Sequence, residues 1–236
     1  MSTSKIVTII GFLTMFIVGV SDLIIVGMMN EMSEEFHVSS SLIGQLVTIY
    51  AISFSILSPI LTKLTKNIND KKILIYSLSF FIILTVITTI VENYILLCIV
   101  RVILAGMASL ITVKLMSTGA NIVPVEKKSA VIANIYVGFS AANILGIPIG
   151  TLIASYYDWK IPFYAIAIIT SLCLLSVIYF IPSNLKVDNN NTSKYTITNY
   201  RGTVMILCFL LFMMISNSIL FTYLEPLVKS KGHNVL

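Results

Sequence analysis

Two charged residues stand alone inside long apolar runs, and their types are complementary. One is an acid, Asp22, within GFLTMFIVGVSDLIIVGMM; the other is a base, Arg101, within ILLCIVRVILAGMAS. A carboxylate at mid-depth in a bilayer costs about 2.5–3.5 kcal/mol on insertion scales, so it must be neutral, paired or turned toward a cavity. Leu23 to Met29 follow Asp22 before its run ends, and Arg101 is the seventh residue of a run that begins at Ile95. At about 1.5 Å per residue, both charges then lie roughly 10 Å below the same face if the two runs cross in opposite senses. An acid and a base so placed can bind a proton reversibly or take a cationic ligand, with the arginine setting the acid's proton affinity. A purely structural ion pair, or an Asp22 that reaches the headgroups, is the plainer alternative.

Few other residues offer chemistry. Lys114, near the inner end of the run that holds Arg101, reads as snorkelling to the interface. Glu225, before Pro226, reads as interfacial. Gln45, Asn134 and Asn143 either line a cavity or act as interhelical hydrogen-bond glue. Cys98, Cys173 and Cys208 fall in apolar runs as small core residues, and His37 and His233 lie at run ends. There is no H-E-x-x-H, no G-x-S-x-G and no cysteine–histidine arrangement, so an intramembrane enzyme, a metal site and a cofactor are not expected.

The elements that must hold these residues follow from composition. The chain has 236 residues, 57% hydrophobic and 11% charged, with mean hydropathy +0.98. A soluble domain carries about 25% charged residues, whereas a bilayer span needs about 20 apolar ones. Seven spans are expected: Ile6–Met29, Ser41–Leu61, Ile73–Val91, Ile95–Met116, Ala130–Ser155, Ile161–Ile181 and Thr203–Leu224. The first run is too long for a signal peptide, lacks an A-x-A site and holds an aspartate. The net charge of +5 is placed for orientation rather than for nucleic acid. Lys5, Lys63, Lys66, Lys71, Lys72, Lys127, Lys128, Lys186, Lys194 and Arg201 fall on one side, and Glu31, Glu34, Glu35, Glu92 and Asp158, with Lys160, on the other. Lysine and arginine favour the cytoplasmic side, so the N-terminus is expected there. Three parts result: a six-helix bundle over 1–182, a cytoplasmic loop over 183–202, and a further helix in 203–236. The sequons at Asn190 and Asn191 then face the cytoplasm.

The fifth span raises a question of its own. Gly138, Ala142, Gly146, Gly150 and Ala154 recur every fourth residue, a small-xxx-small stripe on one helix face, with Pro148 inside it. Such a stripe permits close backbone approach, and the proline frees a carbonyl and gives a bend. It fits either tight packing or a helix that slides on its neighbour. The segment also has an echo. Pro59-Ile60-x-Thr62 and Asp70-Lys71 in the second span and its loop parallel Pro148-Ile149-x-Thr151 and Asp158-Trp159-Lys160 at the opposite end of the bundle. Two three-helix repeats of inverted topology are therefore expected, a pattern that points to secondary transporters.

These segments together resemble the major facilitator superfamily, specifically its bacterial drug and sugar efflux branch of proton antiporters, which includes arabinose-efflux-like members. SPILTKLTKNINDKKIL resembles the cytoplasmic loop motif, with Asp70, Lys71 and Lys72 at its acidic and basic positions but without its glycines and earlier aspartate. RVILAGMAS resembles the fourth-span motif at Arg101 and Gly106, and GFSAANILGIPIG the antiporter motif at Gly138, Gly146, Pro148 and Gly150. YDWKIPFY is similar to the signature that opens the sixth span, with Lys160 in place of arginine. The resemblance implies proton-coupled efflux of a drug, sugar or related metabolite by alternating access, in a bacterial plasma membrane, with Asp22 and Arg101 coupling the proton. It also implies a second six-helix bundle that this sequence does not supply, against which the fifth-span stripe would pack. A seven-span receptor or sensor, and a membrane interaction fragment, are the competing classes. The first lacks a chromophore lysine in its last span and has the wrong expected orientation.

Overall fold

Asparagine and serine caps cut the apolar runs into discrete helices. The Ser39 hydroxyl accepts from the Leu42 N–H, the Asn69 side chain from the Lys71 N–H, and the Asn93 side chain from Ile95 and Leu96. Each satisfies donors that a helix start leaves open. His37, at φ 52, takes the left-handed conformation that turns the chain between the first two helices.

The structure is a computed structural model that describes residues 3–182, 200–206, 208–209, 211–213 and 216. Every regular element among them is helical. Six helices are long and apolar enough to cross a membrane: α1 (Ser4–Glu35), α2 (Ser40–Leu64), α3 (Asp70–Ile90), α4 (Tyr94–Asn121), α5 (Val125–Tyr156) and α6 (Lys160–Phe180). They lie in one compact unit, Met1–Val187; a second unit, Asp188–Leu236, contains an apolar helix within Tyr200–Met213. Most of the expected central loop, the end of the expected seventh span, Glu225 and His233 lie outside the described residues. The largest boundary differences are at α1, which runs to Glu35 rather than Met29, at α4, which runs to Asn121 rather than Met116, and at α5, which begins at Val125 rather than Ala130. Hydropathy marks where lipid ends, whereas the helix continues as long as its backbone bonds do.

The packing repeats itself. The first helix of each half lies on the second helix of the other, α1 on α5 and α4 on α2, while α3 and α6 lie on each other. Both cross-pairs run parallel. Along α1, Gly11, Gly19 and Gly27 meet Ile135, Ala142 and Thr151 of α5 in rising order. Along α2, Leu42 accepts from the Tyr94 hydroxyl and Leu57 lies against Gly106, also in rising order. Exchanging the halves maps this pattern onto itself, as inverted three-helix repeats require. Outside, Ile56, Phe80, Ile83, Ile168 and Leu172 are exposed, an aliphatic surface suited to lipid.

The stripe on α5 is spent inside this bundle, contrary to the expectation that it faces a second one. A Cβ at Gly138 would meet the Phe12 carbonyl oxygen, one at Gly146 the Val20 side chain, and one at Gly150 the Ile24 side chain. Ala142 and Ala154 are buried with them. The physical reason is reciprocal: α1 carries its own small residues every eighth position, so the two backbones can close together.

Candidate functional site

Charge enters this bundle at two levels. At the first, Arg101 of α4 is 1% exposed, although nothing but apolar residues flanks it in sequence. Its Nη1 donates to the Ser21 carbonyl oxygen of α1 at 2.9 Å, and the guanidinium lies over the Phe163 ring of α6, 5.6 Å from its centroid. That cation–π contact replaces part of the lost hydration. Nε and Nη2 have no partner. These two N–H groups form the side of a guanidinium that takes a carboxylate in bidentate fashion.

The expected acid is beside it. Asp22 follows Ser21 on α1, and the two charges act on each other electrostatically. They are not in direct contact: among the described residues the ion pairs are Lys114–Asp70 and Lys160–Glu35, and the Asp22 Oδ1 is buried with no hydrogen-bond partner. The arrangement is an open pair, with an unpaired carboxylate oxygen on one helix and an unpaired guanidinium edge on another. Two residues not expected here complete it. The Tyr50 hydroxyl of α2 and the Ser21 hydroxyl are also buried and unpartnered. In the sequence Tyr50 sits among apolar neighbours with no charge to announce it.

The backbone is irregular on either side of this level. α1 is α-helical through Leu23 and tightens to a 3₁₀ turn over Ile24–Met28, directly after Asp22. α5 widens to a π turn over Ala142–Gly146, directly before Pro148. The proline cannot donate and would crowd the carbonyl four residues back, which the wider turn relieves. The two irregular segments are offset along the seam: the π segment packs on the α-helical part of α1, with Gly146 on Val20, and the 3₁₀ segment packs on the α-helical end of α5, with Gly150 on Ile24. Between them and α6 lies an apolar cleft of about 160 Å³, lined by Val20, Ile24, Gly150 and Ile166 among others, with no polar lining to bind a charge.

The second level is at the opposite ends of the helices. Asp70, the first residue of α3, is buried; its Oδ1 accepts from Lys114 Nζ at 2.8 Å and its Oδ2 from the Ser117 hydroxyl at 2.9 Å. Lys114 therefore does not snorkel. It is 6% exposed and turned inward, because a buried carboxylate one helix away compensates it better than the interface would. Lys71 donates from Nζ to the Ile178 carbonyl oxygen in the last turn of α6, at 2.7 Å, and Lys72 is exposed. The loop motif thus ties α3 to α4 and α6. At the other face Lys160 pairs with Glu35 at 2.8 Å and lies over Trp159, joining the end of α1 to the start of α6. Gln45 and Asn134 are exposed, whereas the Asn143 Oδ1 is buried without a partner in the π turn.

A membrane-spanning bundle of two inverted three-helix repeats, with an open acid–base pair at its centre, defines one half of a transporter-like fold. The family follows from comparison: residues 11–236 match the Major Facilitator Superfamily, and the chain belongs to it. It is 28% identical over 213 residues to YbcL of Bacillus subtilis (strain 168), described as an uncharacterized MFS-type transporter. That match covers 89% of this chain but 54% of the relative, so the chain spans about half the length of the curated relative it matches. Among solved structures it is similar to the peptide transporter POT in complex with sulfate, with TM-score 0.66 and 13% identity, over 95% of this chain and 46% of that one. A mutant of that transporter, also with sulfate, gives 0.65 and 13% over 94% and 46%. At that identity the structures support the fold alone.

Proposed function

We propose that this chain forms the first bundle of a proton-coupled efflux transporter, moving a small molecule such as a drug or sugar out of a bacterial cell by alternating access. The observation that carries the reading is the open pair: an unpartnered Asp22 oxygen within electrostatic reach of Arg101, whose Nε and Nη2 are also unpartnered. An ionised Asp22 is drawn to the free Nε/Nη2 edge of Arg101 far more strongly than a protonated one, so proton binding changes the force between α1 and α4. The 3₁₀ segment of α1 and the π segment of α5 are where the backbone can answer that change. The second six-helix bundle of the superfamily supplies the other wall of the pathway, and the N-terminus is cytoplasmic, as the lysine distribution requires.

The test is proton-driven uptake of ethidium, as a fluorescent cation, into everted membrane vesicles carrying the full-length product of the gene. Asp22→Asn lowers the gradient-dependent rate by about tenfold or more, the equivalent of one weak charged interaction lost. Arg101→Ala does the same, while Lys72→Ala, at an exposed position, leaves the rate near wild type. Wild-type rates from Asp22→Asn would end the assignment.

A further inference from the structure

Tyr50 is the polar side chain that α2 sends into the core at the level of the charges. Of this helix only Ile43, Leu46 and Tyr50 are buried, a stripe at i, i+3 and i+7. The rest faces outward or lies partly covered, so Tyr50 is the one polar side chain among the buried residues of α2. The ring is 2% exposed and stacks on Phe54 with centroids 6.5 Å apart, so the backbone of α2 fixes where the hydroxyl stands. That hydroxyl has no hydrogen-bond partner, which is unusual for a buried phenol. The charged groups that act on it are Asp22 from α1 and Arg101 from α4.

The donor and acceptor inventory is asymmetric. Arg101 only donates, an ionised Asp22 only accepts, and a hydroxyl does both. Resting on the reading of Asp22 as the proton carrier, we propose that Tyr50 is a positioning residue of the coupling site. Its hydroxyl donates to the Asp22 carboxylate when the acid is ionised and accepts from the second Nη2 hydrogen of Arg101, the one a carboxylate on the Nε/Nη2 edge leaves over. Each deprotonation of Asp22 then pulls on α2 as well as on α4. Protonation of Asp22 removes the charge that makes this bond strong and so loosens the hold on α2. Because α2 is the helix with the fewest buried residues among α1 to α4, it is the one whose position such a bond can most readily bias.

Protons alone serve as the probe. Infrared difference spectra of the full-length gene product in liposomes, recorded across a pH series, show protonated carboxyl groups directly. The band that Asp22→Asn removes belongs to Asp22. Tyr50→Phe keeps the ring against Phe54 but takes a donor from the ionised acid, so the midpoint of that band moves to higher pH by about one unit, or tenfold in proton affinity. Tyr50→Met, which keeps bulk without a ring, moves it in the same direction. A midpoint unmoved by both substitutions overturns the proposal while leaving Asp22 as the carrier. So does a shift produced by Ser21→Ala alone, which would give the bridging role to the other unpartnered hydroxyl. If Asp22→Asn removes no band, both the carrier reading and the role of Tyr50 fail together.

Discussion

The strongest single-residue commitment of this bundle is Lys114. Its ammonium group is held among α3 and α4 by Asp70 at 2.8 Å, and both side chains are under a tenth exposed. Removing one partner strands the other charge, a loss of about 3–5 kcal/mol, whereas replacing both can be nearly neutral. Lys114→Met is therefore expected to lower the thermal stability of the detergent-solubilised protein markedly. Lys114→Met combined with Asp70→Asn recovers most of that loss, since Ser117 still bonds the amide. Equal stability of Lys114→Met and wild type, followed by Trp159 fluorescence on heating, would refute the argument. Isolated charges are legible because lipid gives each a cost, and Asp22 and Arg101 could be picked out for that reason. Lys114 was equally visible, but its partner was not. Asp70 reads as a loop residue, and only the folded chain shows it buried at the head of α3. Tyr50 offered less still, since an apolar run hides a phenol that has no charged neighbour in sequence.

At the scale of elements, the crossing of α1 and α5 depends on backbone approach rather than on side-chain volume. A methyl at Gly138 would run into the Phe12 carbonyl oxygen, and a backbone atom cannot swing aside as a side chain can. A methyl at Gly44 of α2 would meet only the Met29 side chain, at 3.4 Å or more, which is ordinary contact. Gly138→Ala should therefore destabilise by at least the about 1–3 kcal/mol typical of overpacking. Gly44→Ala should be neutral or gain up to about 1 kcal/mol from helix propensity. Melting in detergent, read by size-exclusion fluorescence, separates the two; a Gly138→Ala protein as stable as Gly44→Ala would mean that α1 and α5 are not in close contact. The existence of this seam was legible, since small residues every fourth position in lipid have few other uses. Its direction was not. The matching Gly11, Gly19 and Gly27 recur every eighth residue, too sparse a pattern to mark a partner helix before the fold brings the two together. The proline's effect was half legible: Pro148 announced an irregular backbone, but not that a π turn would absorb it.

For the whole molecule, inverted repeats make orientation a single decision, because fixing one helix end fixes every other. The two faces differ chemically. The α2–α3 loop carries Lys63 and Lys66, both exposed, while the α1–α2 turn carries Glu31, Glu34 and Glu35, also exposed. The cation-rich loops are expected on the cytoplasmic side because translocating lysines across the membrane is disfavoured. The structure adds that the two faces are also tied differently: Lys160–Glu35 holds the acidic face, and Asp70–Lys114 with Lys71 on the α6 terminus holds the basic one. The prediction uses single cysteines in a background with Cys98, Cys173 and Cys208 replaced by alanine. A membrane-impermeant maleimide added to intact cells should label Glu34→Cys and spare Lys66→Cys, and everted vesicles should reverse the pattern. Labelling of Lys66→Cys from outside would invert the whole bundle and put the face nearer to Asp22 and Arg101 toward the cytoplasm. Efflux would then have to load its proton from the wrong side, so this one labelling pattern bears on the proposed direction of transport as well as on the fold's placement.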